Sequence, residues 1–252
     1  ADTTCNKDFL FHNGGWIYRP LWTYEAEKQG ARILFYFYST NVERFENEKG
    51  YPSSYFGYQS MSWPHYLVWD DYQANFIRRT VVAPSAISVV GPIWFASSSK
   101  KFDSIPALAV AVFDVQPVRK SLYQSLGIDF DYYTPDNTTS FLADCYTAIQ
   151  ACNAHMLLKR KRDIGSLVHP LYQTFLDNLS TMPGFLSLDP ETSAMQLIEK
   201  CAIVISMPFT STALIGRAQG KPSVYYDSSG MVHKNDLASH GIPILHGPQE
   251  LS

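Results

Sequence analysis

The sequence predicts an α/β protein of two domains, the second a doubly wound parallel sheet. Three observations carry this. From residue 107 onward, strand-like stretches (107–113, 155–159, 184–188, 202–206 and 223–226) alternate with helical ones (138–153, 171–180, 192–200 and 212–219). Strands separated by helices of this length imply parallel pairing through helical crossovers. The strand sequences LAVAVF, AIVIS and PSVYY are almost continuously apolar, as strands covered on both faces must be. Finally, the polar stretch SSSKKFDSIP, residues 97–106, reads as a linker. Before it lies a first half of different character, where most of the 14% of aromatic residues are concentrated.

The first domain, residues 1–104, has three strand candidates: RILFYFY (32–38), YLVW (66–69) and AISVV (86–90). Helices are predicted at 20–28, with Pro20 at the start and Gly30 just past the end, and at 72–79. Residues 39–64 show no clear periodicity. A loop of that length in a compact domain is usually functional, and its aromatic content argues against disorder. The second domain, residues 105–252, begins with the regular alternation. Both domains therefore read as Rossmann-like.

Bulk properties narrow the partners. A net charge of −3 over 252 residues argues against nucleic-acid binding, which needs a basic excess. No apolar run is long enough to span a bilayer and no signal peptide opens the chain. Cys5, Cys145, Cys152 and Cys201 show no metal-ligand spacing and read as reduced thiols of a cytosolic protein, Cys145 and Cys152 as core residues of one helix. The chain begins without methionine and stops after HGPQELS, where a helix starts, so it reads as a piece of a longer protein with other domains.

The most informative stretch is AIVISMPFTSTALIGRAQGKPSVYYD, residues 202–227: strand, hydroxyl-rich loop, helix closed by Gly220, strand. Thr210, Ser211 and Thr212 stand at the positive end of the helix dipole, a place suited to phosphate. Simple helix capping is the competing role. Upstream, the strand ending near Leu158 leads into Lys159, Arg160, Lys161 and Arg162, and then to a loop ending in His169–Pro170. Ligands of open parallel sheets lie outside the carboxyl ends of the strands. The basic run and His169, each unremarkable as a solvated turn or surface imidazole, thus converge with the hydroxyl loop on one nucleotide-type anion site.

Asp114 ends the strand LAVAVF at that same edge, and Pro117 soon turns the chain away. A catalytic or substrate-orienting carboxylate and a plain turn former are both open for it. In the first domain Asn41, Glu43, Arg44 and Glu46 follow the strand 32–38, so they are expected to line the same cleft, Glu43 and Glu46 as acid/base candidates. His12 opens a loop beside Gly14 and Gly15, where backbone can approach an acceptor. Asp70 and Asp71, being adjacent, make a poor paired site. No HExxH, GxSxG, Walker or GxGxxG pattern occurs.

His169–Pro170, the Thr210–Ser211–Thr212 loop and the basic cluster from Lys159 to Arg162 resemble the CMP-binding elements of GT-B bacterial surface-polysaccharide glycosyltransferases that use CMP-activated acidic sugars. VFDVQP around Asp114 and PFTSTALIGRAQGKPSVYYD are similar in particular to the retaining β-Kdo transferases of lipopolysaccharide and capsule assembly, best over residues 107–246. The resemblance implies an acceptor-side first domain that is truncated at its start and a nucleotide-sugar-binding second domain. It implies that His169 and residues 210–212 hold the CMP phosphate, and that Lys159 and Lys161 bind the phosphate or a sugar carboxylate. The loop 185–190, ending in Pro190, would read cytosine, while His12 and Asn41 are acceptor-side candidates from their positions in the first domain and not from the resemblance. Asp114 would be nucleophile or cation stabiliser; Glu43 is a catalytic candidate from its position after a strand alone, a solvated loop carboxylate being its competing role. No metal or cofactor is implied, the basic cluster neutralising the leaving phosphate. The reaction is expected at the cytoplasmic face of the inner membrane. A UDP- or GDP-sugar transferase and a non-catalytic glycan-binding module are the alternatives. Ala213–Leu214–Ile215, where a ribose-binding glutamate would stand in the former, counts against it.

Overall fold

Apolar strands and amphipathic helices close into two all-parallel sheets, one in each of two units of the computed structural model, which describes residues 8–13, 17–40, 45–54, 56–82, 84, 86–92, 105–125, 132–160 and 163–252. The first unit comprises Ala1–Phe95 with Asp236–His240, the second Ala96–Asn235 with Gly241–Ser252.

In the first unit the elements run β1 (Asp8–His12), α1 (Trp22–Lys28), β2 (Arg32–Tyr36), α2 (Phe56–Gln59), β3 (His65–Val68), α3 (Asp71–Thr80) and β4 (Ala86–Val89), and the sheet order is β1-β2-β3-β4. β1 is a strand the sequence pattern does not announce. It is an edge strand mostly open to solvent, held in register with β2 from Asp8↔Arg32 to His12↔Tyr36, so His12 closes a strand instead of opening a loop. The core gathers Ile33, Phe35, Phe37, Tyr66, Val68 and Ile77. The aperiodic segment contributes Trp63 to it, with ring centroids 4.8 Å from both Phe11 and Phe35. Asp70 caps α3, accepting from the Gln73 amide at 3.0 Å.

The second unit runs β5 (Ala109–Phe113), α4 (Lys120–Ser125), α5 (Pro135–Ala151), β6 (His155–Lys159), α6 (Pro170–Leu179), β7 (Phe185–Leu188), α7 (Ala194–Lys200), β8 (Ile203–Ser206), α8 (Ser211–Ala218), β9 (Ser223–Asp227), β10 (Ile244–His246) and α9 (Gly247–Leu251). Sheet order is β10-β9-β8-β5-β6-β7. The chain winds outward from β5 to β7, returns to the other side of β5, and winds out again to β10. The reversal therefore falls between β5 and β8, where doubly wound sheets open a crevice at their carboxyl edge. α5 packs on β6, α6 and α9, whereas α7 and α8 pack on each other and on β5, β8 and β9.

Three expectations need correction. α5 starts at Pro135 behind a Thr134 cap, before the predicted 138, because proline is at home in a first helical turn. It ends at Ala151, which leaves Cys152 exposed past the last turn while Cys145 is buried. And Asp236–His240, placed by sequence in the second domain, belongs to the first unit, where Asp236 accepts hydrogen bonds from the Glu46 amide and the Tyr51 hydroxyl.

α8 lies close on its strands because Gly216 faces them. A β-carbon there would collide with the Ser223 hydroxyl and stand 2.9 Å from Val204 Cγ2. Alanine normally stabilises a helix interior relative to glycine. Here overpacking wins, and Gly216→Ala should lower stability by about 1–3 kcal/mol in urea unfolding.

Candidate functional site

Sheet register brings three loops of the second unit together at its carboxyl edge. Val112 pairs with Leu158 and Phe113 with Ser206. Continued past β5, the register sets Asp114 level with Arg160 on one side and Met207 on the other. The three loops are then tied to one another. The Met207 amide donates to the Phe113 carbonyl (2.8 Å), the Val115 amide to Met207 Sδ (3.4 Å) and the His169 amide to the Pro117 carbonyl (2.9 Å), and Val118 bridges Val168. Asp114, His169 and the loop after β8 therefore share one rim, as the sequence pattern suggests.

Asp114 is 4% exposed. Its Oδ2 accepts a hydrogen bond from the Tyr172 hydroxyl, and its Oδ1 has no hydrogen-bond partner among the described residues. Burial pushes the carboxyl up to about 6, while the Tyr172 hydroxyl and the Arg160 charge pull the other way. Tyr172 is itself held far above the usual phenol range by its own burial and by Asp114, so it remains the donor. Nothing in the sequence marks Tyr172, which reads as one more apolar position of an amphipathic helix. Its place in the first turn of α6 is what carries the hydroxyl under the end of β5. A carboxyl with this pKa is mostly ionised at neutral pH yet basic enough for nucleophilic or proton-transfer work.

His169 caps α6. Its Nδ1 accepts from the Leu171 amide at 3.3 Å, with Pro170 as the first helical residue. In the neutral ring that bond leaves the proton on Nε2. Lys159 is the last residue of β6 and half-buried. Pro190 follows the edge strand β7 within a turn in which Asp189 accepts from the Glu191 and Thr192 amides, so it stands two strands from Asp114.

The loop leading into α8 is braced from within. Thr210 is the N-cap residue, yet its hydroxyl turns back to the Met207 carbonyl (3.0 Å) instead of capping. Thr212 Oγ1 lies 2.9 Å from Ser206 Oγ and 3.2 Å from Thr210 Oγ1. The threonine hydroxyls thus shape the loop, and Ser211 is the first residue of the helix itself. Anion attraction at this end comes from the helix dipole and the first-turn amides, which have no intrahelical acceptor. Phe209 adopts a left-handed backbone (φ 64), costly for a bulky residue. Its ring is buried against Tyr225 at 5.7 Å, and the Tyr225 and Tyr133 hydroxyls donate to the carbonyls of Thr210 and Pro208 at 2.9 and 2.7 Å.

In the first unit, His12 is exposed at the end of β1, its ring edge-on to Tyr38 at 5.9 Å. Asn41 and Glu43, expected at the acceptor side, lie outside the described residues, as does Lys161. Sequence reading misses the pairing of Asp70 with His240, whose Nδ1 is 2.8 Å from both carboxylate oxygens. No local signal links residues so far apart. Among the described residues, no helix is long and apolar enough to cross a membrane, and no three His, Cys, Asp or Glu side chains group as metal ligands.

The family model described as polysaccharide biosynthesis PFTS motif protein matches residues 2–252. The four letters of that motif occur here as Pro208–Phe209–Thr210–Ser211, the loop into α8. Among solved structures, the glycotransferase of kitacinnamycin aligns with 97% of this chain at 12% identity and a TM-score of 0.50. The chain spans 65% of that protein's length. TarM aligns with 87% of the chain at 10% identity (TM-score 0.43, 41% of its own length). A mutant TarM from S. aureus in complex with Fondaparinux, alpha-GlcNAc-glycerol and UDP aligns with 91% of the chain at 9% identity (TM-score 0.48, 45% of its own length). Similarity at this level is one of fold, and it agrees with the expected α/β architecture of two parallel sheets, the GT-B kind. No curated protein matches the sequence.

The buried carboxyl carries a measurable cost. The folded state keeps the Asp114 proton up to about 6, whereas an unfolded chain releases it near 3.8. Stability is thus lost as pH rises from the lower value through the higher, and the full cost is present at neutrality. Asp114→Asn should therefore stabilise the protein at pH 7 by about 1–3 kcal/mol. The gain should shrink toward zero below pH 4 in parallel denaturant titrations.

Proposed function

The chain belongs to the polysaccharide biosynthesis PFTS motif family, and on that premise we propose that its second unit binds a nucleotide-activated sugar that the protein transfers to a glycan acceptor. The donor in this reading is a CMP-activated acidic sugar of the Kdo type, and the product a bacterial surface polysaccharide. The observation that carries it is the PFTS loop itself. It delivers the N-terminus of an eight-residue helix to the winding reversal of the sheet, on the same rim as a buried carboxylate with one unpartnered oxygen. Helix starts at that position hold phosphates through amides and dipole.

In this reading the CMP phosphate sits on the first turn of α8, with His169 Nε2–H and Lys159 as further donors. Leaving-group charge is neutralised by these groups and needs no metal ion. The turn around Pro190 offers backbone groups to cytosine. Ala213, Leu214 and Ile215 are buried, and none of them is the glutamate expected after this loop in a UDP- or GDP-sugar transferase. Asp114 Oδ1 attacks the anomeric carbon as the bond to the CMP oxygen breaks, and CMP departs with the electron pair. The acceptor hydroxyl then displaces the carboxylate, losing its proton to solvent, so two inversions give net retention. His12, Asn41 and Glu43 remain the acceptor-side candidates. Nucleotide sugars are made in the cytoplasm, so the reaction belongs at the cytoplasmic face of the membrane.

A thermal-shift and calorimetry panel of CMP, UDP and GDP tests the donor. CMP should raise the melting temperature most. His169→Ala should weaken CMP binding by about 1.5–3 kcal/mol, the range for a hydrogen bond to a charged group. Asp114→Asn should leave CMP affinity nearly unchanged while turnover falls by several orders of magnitude, since it acts on the sugar in the transition state. A stronger response to UDP or GDP would change the donor. No response to any nucleotide, with glycan binding intact, would make this a glycan-binding module, and near-normal turnover of the Asn variant would favour front-face transfer without a covalent intermediate.

A further inference from the structure

Among the described residues, three buried polar atoms at the carboxyl ends of β5 and β6 have no hydrogen-bond partner: Asp114 Oδ1, Gln116 Nε2 and Arg160 Nε. Folded proteins leave few such atoms, and each calls for an explanation. Gln116 is 9% exposed and follows Asp114 by two residues in the segment leaving β5. Arg160 is half-buried, level with Asp114 across the β5–β6 register, and its charge acts on both Asp114 and Tyr172. The loops carrying these residues are joined by the His169 amide to Pro117 carbonyl bond and the Val118–Val168 bridge.

Two of the three atoms are donors, one of them on a guanidinium, and neither takes the neighbouring Asp114 oxygen as its acceptor. Together they suit an acceptor with two oxygens and a negative charge, which is a carboxylate. In sugars built on a 2-keto acid the carboxylate is bonded to the anomeric carbon. A group gripping that carboxylate therefore also positions the reacting carbon, within an ångström or two of bond length. We propose that Gln116 and Arg160 form the sugar-carboxylate subsite of the donor and present its anomeric carbon to Asp114. This rests on the nucleotide-sugar reading above and deepens it by naming the two residues that would select a 2-keto acid sugar over a neutral one. A neutral sugar would leave both donors buried and unpaired, which is how sites built for a polar group reject analogues that lack it.

Calorimetry with CMP, CMP-Kdo and CMP-N-acetylneuraminate tests this. At least one acidic donor should bind tenfold or more tightly than CMP alone. Arg160→Gln and the isosteric Gln116→Glu should each erase that advantage while CMP affinity stays within twofold of wild type, melting curves confirming that both variants fold. Parallel loss of CMP and donor, or no loss of either, would overturn the subsite. Saturation-transfer NMR with free Kdo and N-acetylneuraminate separates this from the nucleotide reading. If CMP does not bind wild type but a free acidic sugar does, and its methyl ester and the Arg160→Gln variant abolish the signal, the subsite stands while the nucleotide reading falls. If no acidic sugar binds in either form, the subsite falls.

Discussion

Parallel hydrogen bonding of β5 to a neighbour on each side organises the second unit. A parallel partner can be reached only by a crossover, and crossovers keep one hand. Winding toward β6 and later toward β8 from one central strand therefore throws α5 and α6 onto one face and α7 and α8 onto the other. The loops leaving β5 and β8 are bonded to each other at the carboxyl edge, and the helix starts of α6 and α8 both open there. His169 caps one, the PFTS loop leads into the other, and Asp114 stands between them on the central strand. Gly216 permits the close seating of α8 that sets this loop against the sheet.

The same edge is where the molecule tolerates conformations and charges that a fold by itself would avoid. Asp114 is ionised at neutral pH in a place that disfavours its charge, and Tyr172 supplies only part of the compensation. Phe209 keeps a left-handed backbone because its ring is wedged against Tyr225 and two tyrosine hydroxyls hold the flanking carbonyls. Strain and uncompensated polarity cluster at working surfaces because function, not packing, selects them. Asp227 is an instructive contrast. It is also buried, at the end of β9, yet both of its oxygens accept hydrogen bonds, from Tyr132, Ser229 and Val232.

Local chemistry made much of this legible. The runs LAVAVF and AIVIS became β5 and β8, and Gly220, at φ 70, ends the turn beyond α8 as a glycine cap should. The hydroxyl loop lies where the strand–loop–helix pattern puts it. What stayed hidden depends on groups far apart in sequence. β1 is short and exposed and becomes a strand only because β2 pairs with it. Tyr172 acquires meaning from Asp114, and Asp70 from His240. Arg160 was visible as one of four basic residues, but the β5–β6 register alone distinguishes it from the others. Thr210 and Thr212 show the reverse case: residue type pointed to the right loop, while their hydroxyls turned out to brace it.

The allocation of Asp236–His240 to the first unit has a consequence for how the chain is made. During synthesis the strands, helices and aromatic core of that unit leave the ribosome early, but His240 follows its partner Asp70 by 170 residues. Until then Asp70, Tyr51 and the Glu46 amide lack partners they have in the finished fold. The first unit is thus completed only after nearly all of the second has been translated. A fragment ending at Phe95 would carry all four strands of the first sheet and still lack Asp236–His240, so each sheet comes from one continuous stretch of sequence while the first unit does not.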